Sequence, residues 1–533
     1  MTYTYDGDFK GALSSVSNGV SATTYTHDGF GRITGSAQVT GANRPYVFAY
    51  GYSLTDALTS MTYPSGRKVN YALDAADRVT AVQNVNGGGN YASSIGYTPG
   101  GGFSGMTLGN GLTQTYSWND RLQPTGLTAA GAGTTLLGLG FYPCTGQLPS
   151  CASGNNGNLQ SQTINMPGLN LTQGYSYDHL NRLTGAQETG GSGWTQTFGY
   201  DVLGNRWVAS NTGLPNLTQE TPQSSSWYSA TAPNRYAAST GWTYDNAGNV
   251  LTVGGMARSF TYDAENRQVT ACLNCASGSP TGTYAYDGNG QRVSKTAGGQ
   301  TTIFVYDAWG KVAAEYTTGG TVASACGTPT CYVTADHLGS TRMLTGNPVS
   351  TASVVRYDYA PFGQEITAGY GGRTISMGYV SLPDATDPKY TGQERDQETA
   401  LDWFQVRHMS GAQGRFQSPD PANAGASLDN PQSWNGYGYV GNNPLTYTDP
   451  SGMYMCASCI AAGSGNPIVI AAAAIIDAGA ALASFFGFGG GGGPPPTISP
   501  SLATPSSPIS GSASEQGGVF GSGNISPFVF SWE

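Results

Sequence analysis

From Tyr5 to Asp307 the chain repeats one phrase: an aromatic residue, a spacer, Tyr-Asp, two more residues, then Gly or Asn ahead of Arg or Val. Full copies are Tyr175-Ser-Tyr177-Asp178-His-Leu-Asn181-Arg182, Phe198-Gly-Tyr200-Asp201-Val-Leu-Gly204-Asn205-Arg206 and Trp242-Thr-Tyr244-Asp245-Asn-Ala-Gly248-Asn249-Val250. Phe260-Thr-Tyr262-Asp263, Tyr284-Ala-Tyr286-Asp287 and Phe304-Val-Tyr306-Asp307 carry its head. These aspartates step by 23, 44, 18, 24 and 20 residues, which describes a repeat unit with loops of variable length.

The phrase has a mechanical reading. Aromatics two residues apart fall on one face of a strand, where large rings can stack with those of neighbouring strands. The Asp accepts hydrogen bonds from a turn backbone, and the Gly or Asn supplies the left-handed conformation that closes a hairpin. Many such hairpins side by side make one long sheet, and twist coils it. The expected fold is mostly β, with few helices before Gly392.

Composition fits repetition better than a string of ordinary domains. The 533 residues include 79 Gly and 33 Tyr and are only 10% charged, against about 7% Gly and 25% charged residues in average globular chains. Net charge is −10 with no basic run, so the electrostatic footprint of a nucleic-acid ligand is missing. No basic stretch followed by an apolar one opens the chain, so export would rely on a further N-terminal signal or a dedicated secretion machine.

The eight cysteines form four short pairs: Cys144 with Cys151, Cys272 with Cys275, Cys326 with Cys331, and Cys456 with Cys459. Local pairing in Gly-, Ser- and Pro-rich loops suits disulfides in an oxidising compartment. The two Cys-x-x-Cys pairs could instead form one zinc site, or the thiols could be free. Nothing in the sequence brings residues 272 and 456 together, and the four histidines, His27, His179, His337 and His408, lack ligand spacing, so no metal is assigned. No phosphate loop or nucleophile elbow is present, and no cofactor is expected.

The Tyr-Asp phrase is followed by Asp336-His337-Leu338-Gly339-Ser340-Thr341-Arg342, by Tyr357-Asp358-Tyr359-Ala360-Pro361-Phe362-Gly363, and by a block from Tyr390 to Met453. In that block Glu394, Arg395, Asp396, Glu398, Asp402, Arg407 and Arg415 fall within 22 residues. Taken together, Tyr3 to Met453 resembles the YD-repeat or rearrangement-hotspot (Rhs) proteins, and the block is similar to their repeat-associated core domain. The resemblance implies a spiralling β-sheet forming a hollow shell (1–335), a small mixed core domain that plugs one end (336–453) and a variable tail (454–533). Bacterial relatives, including the C components of Tc toxins, enclose a C-terminal toxin that the core domain cuts free, while teneurins use the shell outside the cell for adhesion.

The same resemblance implies chemistry. Self-cleavage in the family follows Asp-Pro-x-Gly-Leu, matched here by Asp449-Pro450-Ser451-Gly452-Met453, so the implied scissile bond joins Met453 to Tyr454. Met replaces Leu at similar volume. The second family carboxylate matches Asp420 and the essential arginine matches Arg407. Two carboxylates close enough to share a proton cannot both ionise, which divides acid from base. Arg407 would hold one carboxylate ionised or orient the strand leading to the bond. Tethering makes a weak catalyst sufficient for one turnover. Read from the residues alone, both Asp-Pro pairs are turn initiators.

The tail from 454 to 533 holds three acids, Asp477, Glu515 and Glu533, and no Lys, Arg or His, which argues against nuclease chemistry. Its apolar segment 467–488 is long enough to span a bilayer but carries Asp477 at its centre; packing inside the shell or against a partner is the other reading. The first functional reading is therefore a secreted or cell-surface β-shell that encloses or displays its own tail and frees it by aspartyl-type self-cleavage. The rivals are a non-enzymatic adhesion module that binds carbohydrate or protein, and a truncated, decayed copy.

Overall fold

The computed structural model describes residues 1–41, 45–143, 154–275, 279–318, 324–381, 384, 386, 388–424, 426–428, 430–453, 455 and 476–477. An 18-stranded sheet begins at Thr2–Tyr5 and ends at Arg206–Thr212, each strand pairing antiparallel with the next in sequence. An 8-stranded sheet of the same design runs from Thr243–Tyr244 to Val312–Thr318. The 44-residue step between Asp201 and Asp245 is where the first sheet stops and the second starts, and short 3₁₀ turns at Ser225–Trp227 and Ala238–Thr240 fill the gap.

The repeated phrase builds one turn many times. At Asp178 one carboxylate oxygen accepts the N–H groups of Leu180 (2.9 Å) and Arg182 (3.0 Å), while the other accepts Arg182 Nε at 2.7 Å. Asn181 takes the left-handed conformation (φ 60°), and the ladder slips between Ser176 and Tyr177, which marks a bulge. Asp28, Asp74 and Asp263 repeat the arrangement with Arg32, Arg78 and Arg267. At Asp201 and Asp245 an asparagine side chain replaces the guanidinium, at 2.8 Å in both turns. Ser53 and Asn119, outside the recurring phrase, cap equivalent turns with their own side-chain oxygens.

In several repeats the tyrosine that ends the strand, just before the turn's first residue, reaches across to the preceding hairpin. Tyr52, Tyr97, Tyr177 and Tyr286 donate to the carbonyls of Ile33, Val79, Leu159 and Gln268 at 2.7–2.8 Å, and Tyr200 donates to Leu183. The turn arginine of that preceding hairpin covers the tyrosine ring: Arg32 over Tyr52, Arg78 over Tyr97, Arg182 over Tyr200 and Arg267 over Tyr286, all within 5.0 Å of the centroid. Ring-on-ring pairs also occur, as between Phe48 and Tyr50. The recurring motif, however, is Asp-bound arginine on tyrosine, because the turn leaves the guanidinium lying along the neighbouring strand.

The second sheet lies across the first strands of the first one. Gln38 donates to Phe304 O at 2.7 Å and accepts Tyr306 N–H at 3.1 Å, Asn18 donates to Tyr286 O at 2.9 Å, and Ala308 N–H donates to the Tyr50 hydroxyl at 3.0 Å. Phe48, Phe103, Ile164, Phe304, Phe362 and Trp403 share one buried cluster, so the two sheets and the C-terminal block have a common core.

In the C-terminal block, Thr330–Ala335, Thr341–Thr345 and Val354–Arg356 form one small sheet, whose far edge pairs with the backbone of Ile476–Asp477. A second small sheet contains Glu394–Asp396, Leu401–Phe404, Arg407–Ser410 and Arg415–Phe416. The mixed core domain implied by the family resemblance has strands and 3₁₀ turns but no α-helix among the described residues. Left-handed backbone at Thr391, Ala400, Gln405, Asn423, Val440 and Asn442 interrupts the chain too often for one to form. No helix among the described residues is long and apolar enough to cross a membrane. Apart from Ile476–Asp477, segment 467–488 lies outside the described residues.

Candidate active site

The strand Arg407–Ser410 begins with the arginine singled out above, facing Phe404 across a tight turn in which Gln405 has φ 56°. Its guanidinium is buried and lies over the Phe416 ring, 3.6 Å from the centroid. From there it reaches both matched carboxylates. Nη2 stands 2.7 Å from Asp420 Oδ1 and 3.3 Å from Asp449 Oδ2, so the two carboxylate oxygens can be no further apart than the sum of these distances. Arg407 Nη1 donates to Gly436 O at 2.7 Å, and Nε donates to Gly452 O. Burial pulls the Arg407 pKa down while Asp420 and Asp449 push it back up.

Each aspartate is placed by its own turn. Asp420 N–H donates to Gly436 O at 2.9 Å, and the residue opens the 3₁₀ turn Pro421–Asn423. Asp449 is 3% exposed and accepts the Met453 N–H on Oδ1 at 3.0 Å, which folds Asp449 to Met453 into a loop closed by its own carboxylate. Gly452 has φ 72°, and a Cβ there would stand 2.4 Å from Phe404 O, so glycine is required for conformation and for space. Gln393 Nε2 donates to Pro450 O at 3.3 Å. The three residues named from the sequence thus meet around one guanidinium, and the turn-initiating role of both aspartates holds alongside. Tyr454 lies outside the described residues.

The other candidates are dispersed. The sulfurs of Cys272 and Cys275 stand 2.14 Å apart and those of Cys326 and Cys331 1.87 Å apart, each pair within its own loop. Cys144, Cys151, Cys456 and Cys459 lie outside the described residues. His337 packs on Phe141 and bonds Leu445 O at 3.3 Å, and burial lowers its pKa. Among the described residues no group of His, Cys, Asp and Glu converges as metal ligands.

Buried ion networks between shell and core block escaped the sequence reading. Arg292, 0% exposed, pairs with Glu394 and Asp396 at 2.8 Å each; Lys295 reaches Glu394 at 2.5 Å, and His408 Nε2 lies 3.2 Å from Asp396. Arg292 and Lys295 together hold the Asp396 pKa far below the usual carboxylate range despite its burial, while burial lowers that of His408. Arg373 grips Glu188 of the first sheet through both terminal nitrogens at 2.7 Å and Asp358 through Nε at 2.6 Å. The available signal was the charge density between Glu394 and Arg415: so many ionisable groups in a charge-poor chain need partners when buried.

Comparison with known proteins bears on the whole assembly. Residues 52–88 match the family model described as RHS Repeat. The tRNA3(Ser)-specific nuclease WapA of Bacillus spizizenii is 27% identical over 293 residues, and the tRNA nuclease WapA of Bacillus subtilis 28% over 295; each match covers 52% of this chain and 12% of the relative. Salivary gland surface protein 1 of Aedes aegypti is 36% identical over 121 residues, 22% of this chain and 3% of that protein. The chain therefore spans about an eighth of the length of the WapA relatives. Among solved structures, TcdB2-TccC3 superposes with a TM-score of 0.59 at 16% identity over 85% of this chain and 25% of that one. The Photorhabdus luminescens Tc holotoxin pore gives 0.61 at 17% identity over 83% and 24%. The chain thus carries an RHS repeat at residues 52–88, and its antiparallel sheets have the fold of the Tc-toxin β-shells.

Proposed function

We propose that this Rhs shell holds its own C-terminal tail as cargo and releases it by a single hydrolysis of the Met453–Tyr454 bond, catalysed by Asp420 and Asp449. The observation that carries the reading is the junction at Arg407, where one guanidinium contacts both carboxylates and the Gly452 carbonyl, one residue before the bond to be cut. One carboxylate takes a proton from water as it attacks the Met453 carbonyl carbon, and its protonated partner hydrogen-bonds the carbonyl oxygen. The C–N bond then breaks as the carboxyl that took the proton from water passes it to the departing Tyr454 nitrogen, leaving a carboxyl group on Met453 and a free amine on Tyr454. Acid and base roles belong to the pair, because their titrations are coupled. Arg407 and the Asp449 bond to Met453 N–H orient the chain, so positioning replaces substrate binding.

The Aedes relative is called a surface protein, which supports a place at the cell surface or outside it, and the WapA relatives are called tRNA nucleases. A secretion machine or a surface protein or carbohydrate is the expected partner. This chain's tail lacks Lys, Arg and His, so a nuclease activity is not proposed for it.

The test is intact mass of wild type, Asp420→Asn and Asp449→Asn purified at neutral pH. The expected outcome is a wild-type fragment ending at Met453 and two uncut variants. A fragment ending at Asp449 would report acid scission of the Asp-Pro bond. An intact wild type, or equal cutting in all three, would overturn the proposal in favour of a non-enzymatic shell.

A further inference from the structure

The loop from Asp449 to Met453 is held at Pro450, Gly452 and Met453. Gln393 Nε2 donates to Pro450 O at 3.3 Å, Arg407 Nε donates to Gly452 O, and Met453 N–H donates to Asp449 Oδ1 at 3.0 Å. The last two holds come from groups already placed in the reaction. Asp449 belongs to the pair that moves the proton, so its grip on Met453 N–H changes as the pair takes and gives that proton. A glutamine amide keeps its donor at every stage, and the hold on Pro450 stays constant while the bond is cut.

Gln393 is placed for that contact. Its side chain belongs to a residue only 2% exposed. Its backbone is fixed without the side chain: the N–H donates to Tyr390 O at 3.1 Å and the carbonyl accepts Lys389 N–H at 2.9 Å, around a turn in which Thr391 and Gly392 take φ 49° and 69°. The amide therefore leaves a rigid turn and ends on the residue after Asp449. Pro450 has no N–H, so its carbonyl is the main-chain group by which that residue can be tied.

We propose that Gln393 is a positioning residue for self-cleavage: by tying Pro450 O it sets where the Met453 carbonyl carbon stands against the Asp420–Asp449 pair. The inference rests on the cleavage reading. Gln393 acts through the loop rather than on the reacting atoms, and a displacement of about 1 Å at those atoms costs about a hundredfold in rate.

The experiment uses the full chain, pulse-labelled during cell-free synthesis and shifted to pH 5 or pH 8, with cutting at Met453 followed by intact mass in wild type, Gln393→Met and Gln393→Glu. Met keeps the volume and removes the donor at both pH values. Glu keeps the shape, and its carboxyl, raised by burial, donates an O–H at pH 5 and loses that proton towards pH 8, with Asp449 and Arg407 beside the loop pressing it in opposite directions. The readout is the rate relative to wild type at the same pH, which takes the titration of Asp420 and Asp449 out of the comparison. Gln393→Met should be at least about tenfold slower at both pH values, and Gln393→Glu at least about tenfold slower at pH 8 but within about threefold of wild type at pH 5. Gln393→Met cut as fast as wild type, or Gln393→Glu as slow as Gln393→Met at pH 5, would overturn the proposal. If Gln393→Met does not fold, Gln393→Glu decides alone: a rate relative to wild type that is the same at both pH values overturns the assignment. An uncut wild type overturns the cleavage reading and this inference with it, whereas either failure beside a cut wild type overturns this inference only.

Discussion

Asp307→Asn tests the turn chemistry that builds the shell. In the turns at Asp28, Asp74, Asp178 and Asp263 the second carboxylate oxygen is met by an arginine four residues on, and at Asp201 and Asp245 by an asparagine. At Asp307 that position is Lys311, and the second oxygen has no hydrogen-bond partner among the described residues although the residue is 3% exposed. Burial accordingly pushes the Asp307 pKa from 3.8 up to about 7, the N–H groups of Lys311 and Trp309 opposing it. A carboxyl weaker in the folded than in the unfolded chain contributes its full stability below pH ~4 and loses it as pH rises through about 7. At 1.36 kcal/mol per tenfold change, the loss is about 1.5 kcal/mol at pH 5 and about 4 kcal/mol at pH 8. Asparagine does not titrate. Its buried amide adds a cost that is the same at both pH values, so the diagnostic is the stability of Asp307→Asn relative to wild type, which should grow by about 2.5 kcal/mol from pH 5 to pH 8. Urea unfolding at the two pH values measures it. A relative stability unchanged within about 0.5 kcal/mol would refute the reasoning.

Four further outcomes follow. Lys311→Arg should place a guanidinium on the free Asp307 oxygen as in the neighbouring turns, raising stability at pH 8 by about 1.5–3 kcal/mol in the same urea assay and flattening its pH dependence. Arg292→Met leaves Glu394 and Asp396 buried with Lys295 as their one cationic partner beside the His408 ring and should cost about 3–5 kcal/mol of unfolding free energy, measured at pH 7. Tyr97→Phe removes the bond to Val79 O while keeping the ring under Arg78, and about 1 kcal/mol of destabilisation is expected from denaturant titration. Gly452→Ala forces a Cβ to 2.4 Å from Phe404 O; intact mass should show no cut at Met453, with the melting temperature lowered by no more than a few degrees.

The sequence by itself determined everything local. Asp, two residues, Gly or Asn, and a following Arg or Asn specify a turn whose hydrogen bonds close within five residues, so the hairpins and their order could be read from the chain. The same holds for the bond by which the Asp449 carboxylate closes the loop to Met453, four residues on. Degenerate turns at Ser53 and Asn119 were illegible because a single side-chain oxygen of either residue does what Asp does. Only tertiary structure decided which turns meet. Arg407 joins Asp420 to Asp449 through a β-turn, a 3₁₀ turn and a loop far apart in sequence, and its identification rested on family resemblance rather than spacing. The salt bridges of Arg292 and Arg373 link residues about a hundred or more positions apart, Arg292 to Asp396 and Glu188 to Arg373. No local pattern encodes such a pairing, because a buried charge is satisfied by whatever opposite charge the coiling of the sheet brings beside it.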